Sequence, residues 1–72
     1  MMVDTNLLKS KMAERVLSVT DVAARIGLDK ATLYRRLADG ESFTVGEVQR
    51  IKDVLSLTMD EAVSIFFTSD VA

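Results

Sequence analysis

The stretch Ser18 to Gly40, SVTDVAARIGLDKATLYRRLADG, constrains this chain more than any other, because its signals suit two short helices joined by a tight turn. The spacing predicts a helix from about Val19 to Ile26, a turn at Gly27-Leu28-Asp29, and a second helix from about Lys30 to Asp39. Ser18 followed three residues later by Asp21 is a capping box, in which the hydroxyl takes an orphan backbone N–H and the carboxylate sits on the positive helix end. Gly27 can take the left-handed conformation that stops a helix and turns the chain. Val22, Ala23 and Ile26 form an apolar stripe on the first helix, and Leu33 and Leu37 form one on the second. The small Ala23 suits close approach of the two helices. What remains on the second helix is Lys30, Ala31, Tyr34, Arg35 and Arg36, a basic face with one aromatic, for which nucleic acid is the first candidate partner.

These residues resemble the helix-turn-helix of phage repressor and Cro-type proteins, in which the second helix enters the major groove of DNA. The likeness rests on Ala23, Gly27, the apolar set Val22, Ile26, Leu28 and Leu33, and the run Thr32-Leu33-Tyr34-Arg35. Leu8 to Leu17 is similar to the opening helix of such proteins, and Ser42-Phe43-Thr44-Val45-Gly46-Glu47 to their loop into a fourth helix. Met59 to Phe67, ending Ile65-Phe66-Phe67, is similar to the closing helix of small regulators from phages of Gram-positive bacteria. Two positions depart from the family pattern. Val19 stands where the family usually has a Gln that touches a phosphate, and Arg36 stands where an apolar residue is common, with Leu37 taking over the packing. The resemblance implies an all-α, five-helix, lambda-repressor-like DNA-binding domain over residues 1–72. Within it, 1–4 form a loose N-terminus, 18–40 the helix-turn-helix and 44–67 the closing helices.

Composition agrees with a helical bundle. The 72 residues contain no Pro and three Gly, and with no Cys and no His there is neither a disulfide framework nor a Cys/His metal site. Such a core is small and relies on well-packed helices, with dimerisation as a further aid. The opening MMVDTNLLKSK has no apolar run of signal-peptide length, and no segment approaches a membrane span, so a cytoplasmic protein is expected. No enzyme can be assembled from these residues: there is no His or Cys for nucleophilic or acid–base work, no glycine-rich phosphate loop and no paired carboxylates at a defined spacing. No cofactor is implied.

The net charge of −2 argues against DNA until its distribution is considered. Thr5 to Leu37 holds seven basic residues against three acidic ones, a local +4, whereas Ala38 to Ala72 holds two against seven, a local −5. A chain split this way offers one face to phosphate and keeps another away from it. The plainer alternative is that these charges only solvate a helical bundle.

Five helices are predicted, at about 6–16, 19–26, 30–38, 45–55 and 59–67. Thr5 or Asn6 caps the first, whose stripe is Leu8 and Met12, closed by Leu17. Lys9, Lys11 and Arg15 lie off that stripe and suit either solvent or the DNA backbone. Asp29 is a good N-cap for the third helix. On that helix, Lys30 and Arg35 are candidates for guanine, Ala31 for a thymine methyl, and Tyr34 for a base edge, a sugar or a phosphate. Thr32 and Arg36 are candidates for phosphate contacts. Gly40 ends the helix and Phe43 docks into the core. Thr44 with Glu47, and Thr58 with Glu61, form two more capping boxes. The fourth helix carries the stripe Val45, Val48, Ile51, Val54 and Leu55, with Gly46 suited to a close backbone approach, and the resemblance implies that its start lies near a phosphate, which makes the hydroxyls of Ser42 and Thr44 candidates for that contact. The apolar residues Ala62, Val63, Ile65, Phe66 and Phe67 spread too widely for one face, so Phe66 and Phe67 are candidates for a partner interface.

Two functions follow. The first is a sequence-specific DNA-binding transcriptional regulator, a Cro-like phage or prophage repressor that reads operator DNA through the helix at 30–38, alone or as a homodimer. The alternative is an antirepressor-like modulator that binds a partner phage repressor and alters its operator binding.

Overall fold

The computed structural model describes residues 3–39 and 43–67, and among these it has five helices and no strand. They are α1 (Thr5–Glu14), α2 (Val19–Ile26), α3 (Lys30–Asp39), α4 (Val45–Leu55) and α5 (Met59–Phe66). Three of the four connections are built alike. In each, a residue in the left-handed conformation is followed by a leucine and then by a cap: Val16-Leu17-Ser18, Gly27-Leu28-Asp29 and Ser56-Leu57-Thr58. The leucine N–H reaches back to the carbonyl five residues earlier, from Leu17 to Met12 at 3.0 Å, from Leu28 to Ala23 at 2.9 Å and from Leu57 to Lys52 at 2.9 Å. These are Schellman turns, which satisfy carbonyls that a helix end leaves open and press an apolar side chain back onto the bundle. The cap that follows then accepts an N–H from the first turn of the next helix: Asp21 N–H on Ser18 Oγ, Ala31 N–H on Asp29 Oδ2, and Glu61 N–H on Thr58 Oγ1, each at 3.1 Å.

Differences from the sequence expectation sit mainly in α1. Its N-cap is Asp4, which accepts the Leu7 N–H at 3.0 Å, not Thr5 or Asn6. The helix stops at Glu14 rather than Val16, because Val16 has turned left-handed at φ 56°. That conformation is a cost for a β-branched residue, on the order of 1–2 kcal/mol. Nor are residues 3 and 4 loose. Val3 is buried, and the Asp4 N–H donates to the Ile65 carbonyl at 2.7 Å. The remainder of that expected tail, Met1 and Met2, lies outside the described residues, as does the expected stop at Gly40.

The core draws on every helix: Leu8 and Met12, Val22, Ala23 and Ile26, Leu33 and Leu37, Ile51 and Leu55, and Ala62, Ile65 and Phe66. Val19 packs against this cluster, which gives a packing reason for an apolar residue at the start of α2. Helix α2 packs on α3 and α4, while α5 packs on α1 and α4. Ion pairs and cation caps fasten the outer edges. Arg15 Nε donates to the Leu55 carbonyl at 2.7 Å, placing a positive charge on the negative end of α4, and Arg50 Nη1 reaches the Ile26 carbonyl at 3.4 Å in the same way for α2. Lys11 Nζ meets Glu61 at 2.7 Å and so ties α1 to the start of α5. Val45, expected in the stripe of α4, is 74 % exposed at its first position, and Gly46 has nothing within 4 Å of where a Cβ would stand. The close backbone approach expected at Gly46 is therefore absent.

Two expectations follow. Gly46→Ala should stabilise the domain by about 0.5–1 kcal/mol, since a methyl fits and the unfolded chain loses freedom. Gly27→Ala should cost about 1–2 kcal/mol, because Gly27 sits at φ 72°. Thermal unfolding should show midpoints moving in opposite directions by several degrees. The second expectation concerns pH. The Lys11 ammonium, helped by the Thr58 N–H, holds the Glu61 carboxyl down at about 2, and the Ser18 N–H holds Asp21 below its ordinary value. Folded carboxyls with depressed pKa stabilise above the unfolded value and lose that contribution as pH falls, so stability should decline from about pH 5 toward about 2. Glu61 conversely raises Lys11 above 10.5, so that part of the stability should fade only at more alkaline pH. Urea midpoints across pH should show this plateau, and Glu61→Gln should flatten its acid side.

Candidate nucleic-acid interface

The elements that present α3 are those with the clearest local signals. Ser18 and Asp21 close a reciprocal capping box on α2, with the Ser18 N–H on Asp21 Oδ2 at 3.0 Å. Gly27 supplies the left-handed residue between the helices, and Asp29 receives the Ala31 N–H, so its carboxylate is engaged in starting α3. Leu33 and Leu37 then seat α3 in the core. Positions 30, 31, 34 and 35 recur at one helical spacing, and Lys30, Ala31, Tyr34 and Arg35 all stand exposed. Tyr34 is 54 % exposed, an open phenol rather than a spacer between helices. Thr32 is half-buried at the edge of this surface. The result is a helix side with two cations, a methyl and a phenol, a set able to meet phosphates and base edges.

Arg36 is turned away from that surface. Its Nη1 donates to Glu47 Oε1, and its guanidinium lies 5.4 Å from the centroid of the Phe43 ring. Glu47 is buried, and burial pushes its carboxyl up. The Thr44 N–H at 2.8 Å and the Arg36 guanidinium outweigh that effect and hold it below its ordinary value. Sequence reasoning identified Glu47 as a capping residue and missed this second role, since residues 36 and 47 share no local pattern. Neither did it find the carbonyl caps made by Arg15 and Arg50.

The electrostatic division of the chain is partly undone in space. Glu61 and Glu47, from the acidic half, neutralise Lys11 and Arg36 from the basic half. Lys9, Arg15, Arg25, Lys30 and Arg35 are the exposed basic residues of the first half, and Arg15 is held on the end of α4.

The expected apolar partner surface also changes. Phe66 is 3 % exposed and meets Phe43 edge-on, with centroids 5.6 Å apart and an interplanar angle of 82°, so it belongs to the core. Phe67 is 48 % exposed and caps α5. It borders an open cavity of about 250 Å³ lined by Phe43, Val45, Val48, Met59 and Ala62, with Gln49 and Lys52 as its polar members. Ser42, the other residue suggested near phosphate, lies outside the described residues, and Thr44 is exposed with its hydroxyl accepting the Glu47 N–H at 3.1 Å. No described helix is long and apolar enough to cross a membrane.

Comparison with known proteins gives one family. Residues 7–67 match the Cro/C1-type HTH DNA-binding domain, a span from the first turn of α1 to the cap of α5. Neither the curated proteins nor the solved structures include a match to this chain.

Phe66→Ser should cost about 3–5 kcal/mol and leave little folded protein, whereas Phe67→Ser should change stability by less than about 1 kcal/mol. Circular dichroism during thermal unfolding separates the two, and equal losses would contradict this packing of α5.

Proposed function

Since this chain belongs to the Cro/C1-type helix-turn-helix DNA-binding family, we propose that it reads a specific operator through α3 and represses transcription by occupying that site. It is a DNA-binding transcriptional regulator, and the finer reading makes it a regulator of the phage Cro and repressor kind. The observation that carries this reading is the exposed face Lys30, Ala31, Tyr34 and Arg35 on a helix set forward by the Gly27 turn. Lys30 and Arg35 are assigned to guanine, where Arg35 can bond O6 and N7 together, and Ala31 to a thymine methyl. Tyr34 packs on a base edge or sugar, and Thr32 serves a phosphate.

A second reading is favoured by one observation. Val45, Met59, Val63 and Phe67 are exposed together with the open cavity beside α4 and α5. A modulator that binds a partner phage repressor would use this apolar surface. A homodimer would use it too, and an isologous pair placing two α3 helices about 34 Å apart would read a palindromic site.

The test is selection of a preferred duplex from random DNA, followed by binding measurements. Arg35→Ala is expected to cost about 1–3 kcal/mol on that duplex and to relax preference at one base pair, while Thr32→Ala weakens all sequences alike. An Arg35→Ala variant with unchanged affinity and preference would contradict the assignment. Sedimentation with and without DNA decides the dimer, which a monomer under both conditions excludes. For the modulator, Phe67→Ser should abolish a repressor complex and leave any monomeric DNA contact in place.

A further inference from the structure

Helix α3 has α2 as its principal helical neighbour, so its angle to the rest of the bundle depends on what holds its other side. The residue after Arg35 lies about 100° further round the helix, which carries Arg36 from the outer face toward the start of α4. Two groups grip its guanidinium, and a third backs one of them. Glu47 Oε1 accepts from Nη1, the Phe43 ring lies beneath at 5.4 Å, and that ring is itself fixed edge-on to the buried Phe66. Glu47 cannot swing away easily, because the same Oε1 accepts the Thr44 N–H at 2.8 Å while its own N–H donates to Thr44 Oγ1 at 3.1 Å. One carboxylate oxygen therefore joins the first turn of α4 to the reading helix. The two side chains are only 19 % and 12 % exposed, so the pair is largely withdrawn from water and its charges cancel for any phosphate outside.

We propose that Arg36 is a positioning residue that locks α3 onto the α4–α5 half of the domain and so sets the angle at which Tyr34 and Arg35 meet the groove. It holds no phosphate. The neighbouring arginines then divide the work: Arg35 faces the ligand and Arg36 faces the scaffold. This rests on the reading of α3 as the recognition helix, and it turns a surface contact expected from sequence into an internal strut. Arg suits the task and Lys does not, since a planar fork can lie on the ring while also bonding the carboxylate.

The experiment measures affinity for the preferred duplex over a potassium chloride series, for the parent protein, Glu47→Gln, Arg36→Met, Arg36→Lys and the Glu47→Gln/Arg36→Met pair. All measurements are made at a temperature where circular dichroism shows each variant folded. Glu47→Gln removes a negative charge and would tighten a purely electrostatic complex. It is expected instead to weaken binding roughly tenfold, the order typical of coupling through packed side chains, and to narrow the margin over mismatched duplexes. Arg36→Met should lose about as much while leaving the slope of log K against log salt unchanged, Arg36→Lys should behave like it, and the pair should lose no more than either single change. A slope reduced by about 0.9 in Arg36→Met, parent-like binding by Arg36→Lys, or unchanged or tighter binding by Glu47→Gln would overturn the proposal. If the parent protein prefers no duplex, the recognition reading falls and amide NMR decides the strut separately. Glu47→Gln should then shift the Tyr34 and Arg35 resonances as strongly as those of the first turn of α4, and shifts confined to residues 44–48 would overturn it.

Discussion

A connection of three or four residues leaves little slack, and the geometry of this domain depends on three such connections. Each uses a left-handed residue to turn the chain, a leucine to anchor the turn and a cap to start the next helix. Because the leucine N–H and the cap are both hydrogen-bonded, each turn narrows the range of angles open to the helices it joins, and long-range contacts fix the angle within that range. The turn at Gly27 is the one at which residue type and backbone demand agree. At Val16 and Ser56 the chain accepts left-handed conformations without glycine, which the surrounding hydrogen bonds and the seated leucines must sustain.

The charged residues divide between fastening and display. Lys11, Arg15, Arg36 and Arg50 are used inside the molecule, on carboxylates or on the carbonyl ends of helices. Such placements exploit the helix dipole and cost little attraction to solvent, but they remove charge from any long-range field. A regulator with net charge −2 thus concentrates its attraction for DNA in few exposed cations.

How much of this was legible depended on distance along the chain. The capping boxes at Ser18, Thr44 and Thr58 are complete within four residues, and the helices they open were placed correctly from sequence. At the start of α1, Asp4, Thr5 and Asn6 are all acceptable caps, and only the bond from the Asp4 N–H to Ile65 explains why Asp4 is chosen. The end of α1 was missed because valine carries no stop signal. The consecutive Ile65, Phe66 and Phe67 cannot all face inward, and which one is left out follows from how α5 lies against α1 and α4. Periodicity cannot supply that rotation. The partners of Lys11 and Arg36 come from the far half of the chain, where no spacing rule applies. Most of the outward face of α3 was readable, since Leu33 and Leu37 define its opposite, but Arg36, expected on that face, is drawn aside to Glu47.

The bond from Asp4 to Ile65 has a topological consequence. With Lys11 on Glu61, it brings the two ends of the described chain together, so that the bundle closes on itself as a ring of helices rather than a string. Closing a ring that large costs more chain entropy than closing any of the short turns. The same adjacency makes the seam between α1 and α5 a natural place to join the ends by a short bridge and reopen the chain elsewhere, a circular permutation that would keep every helix contact and relocate only the order in which they are made.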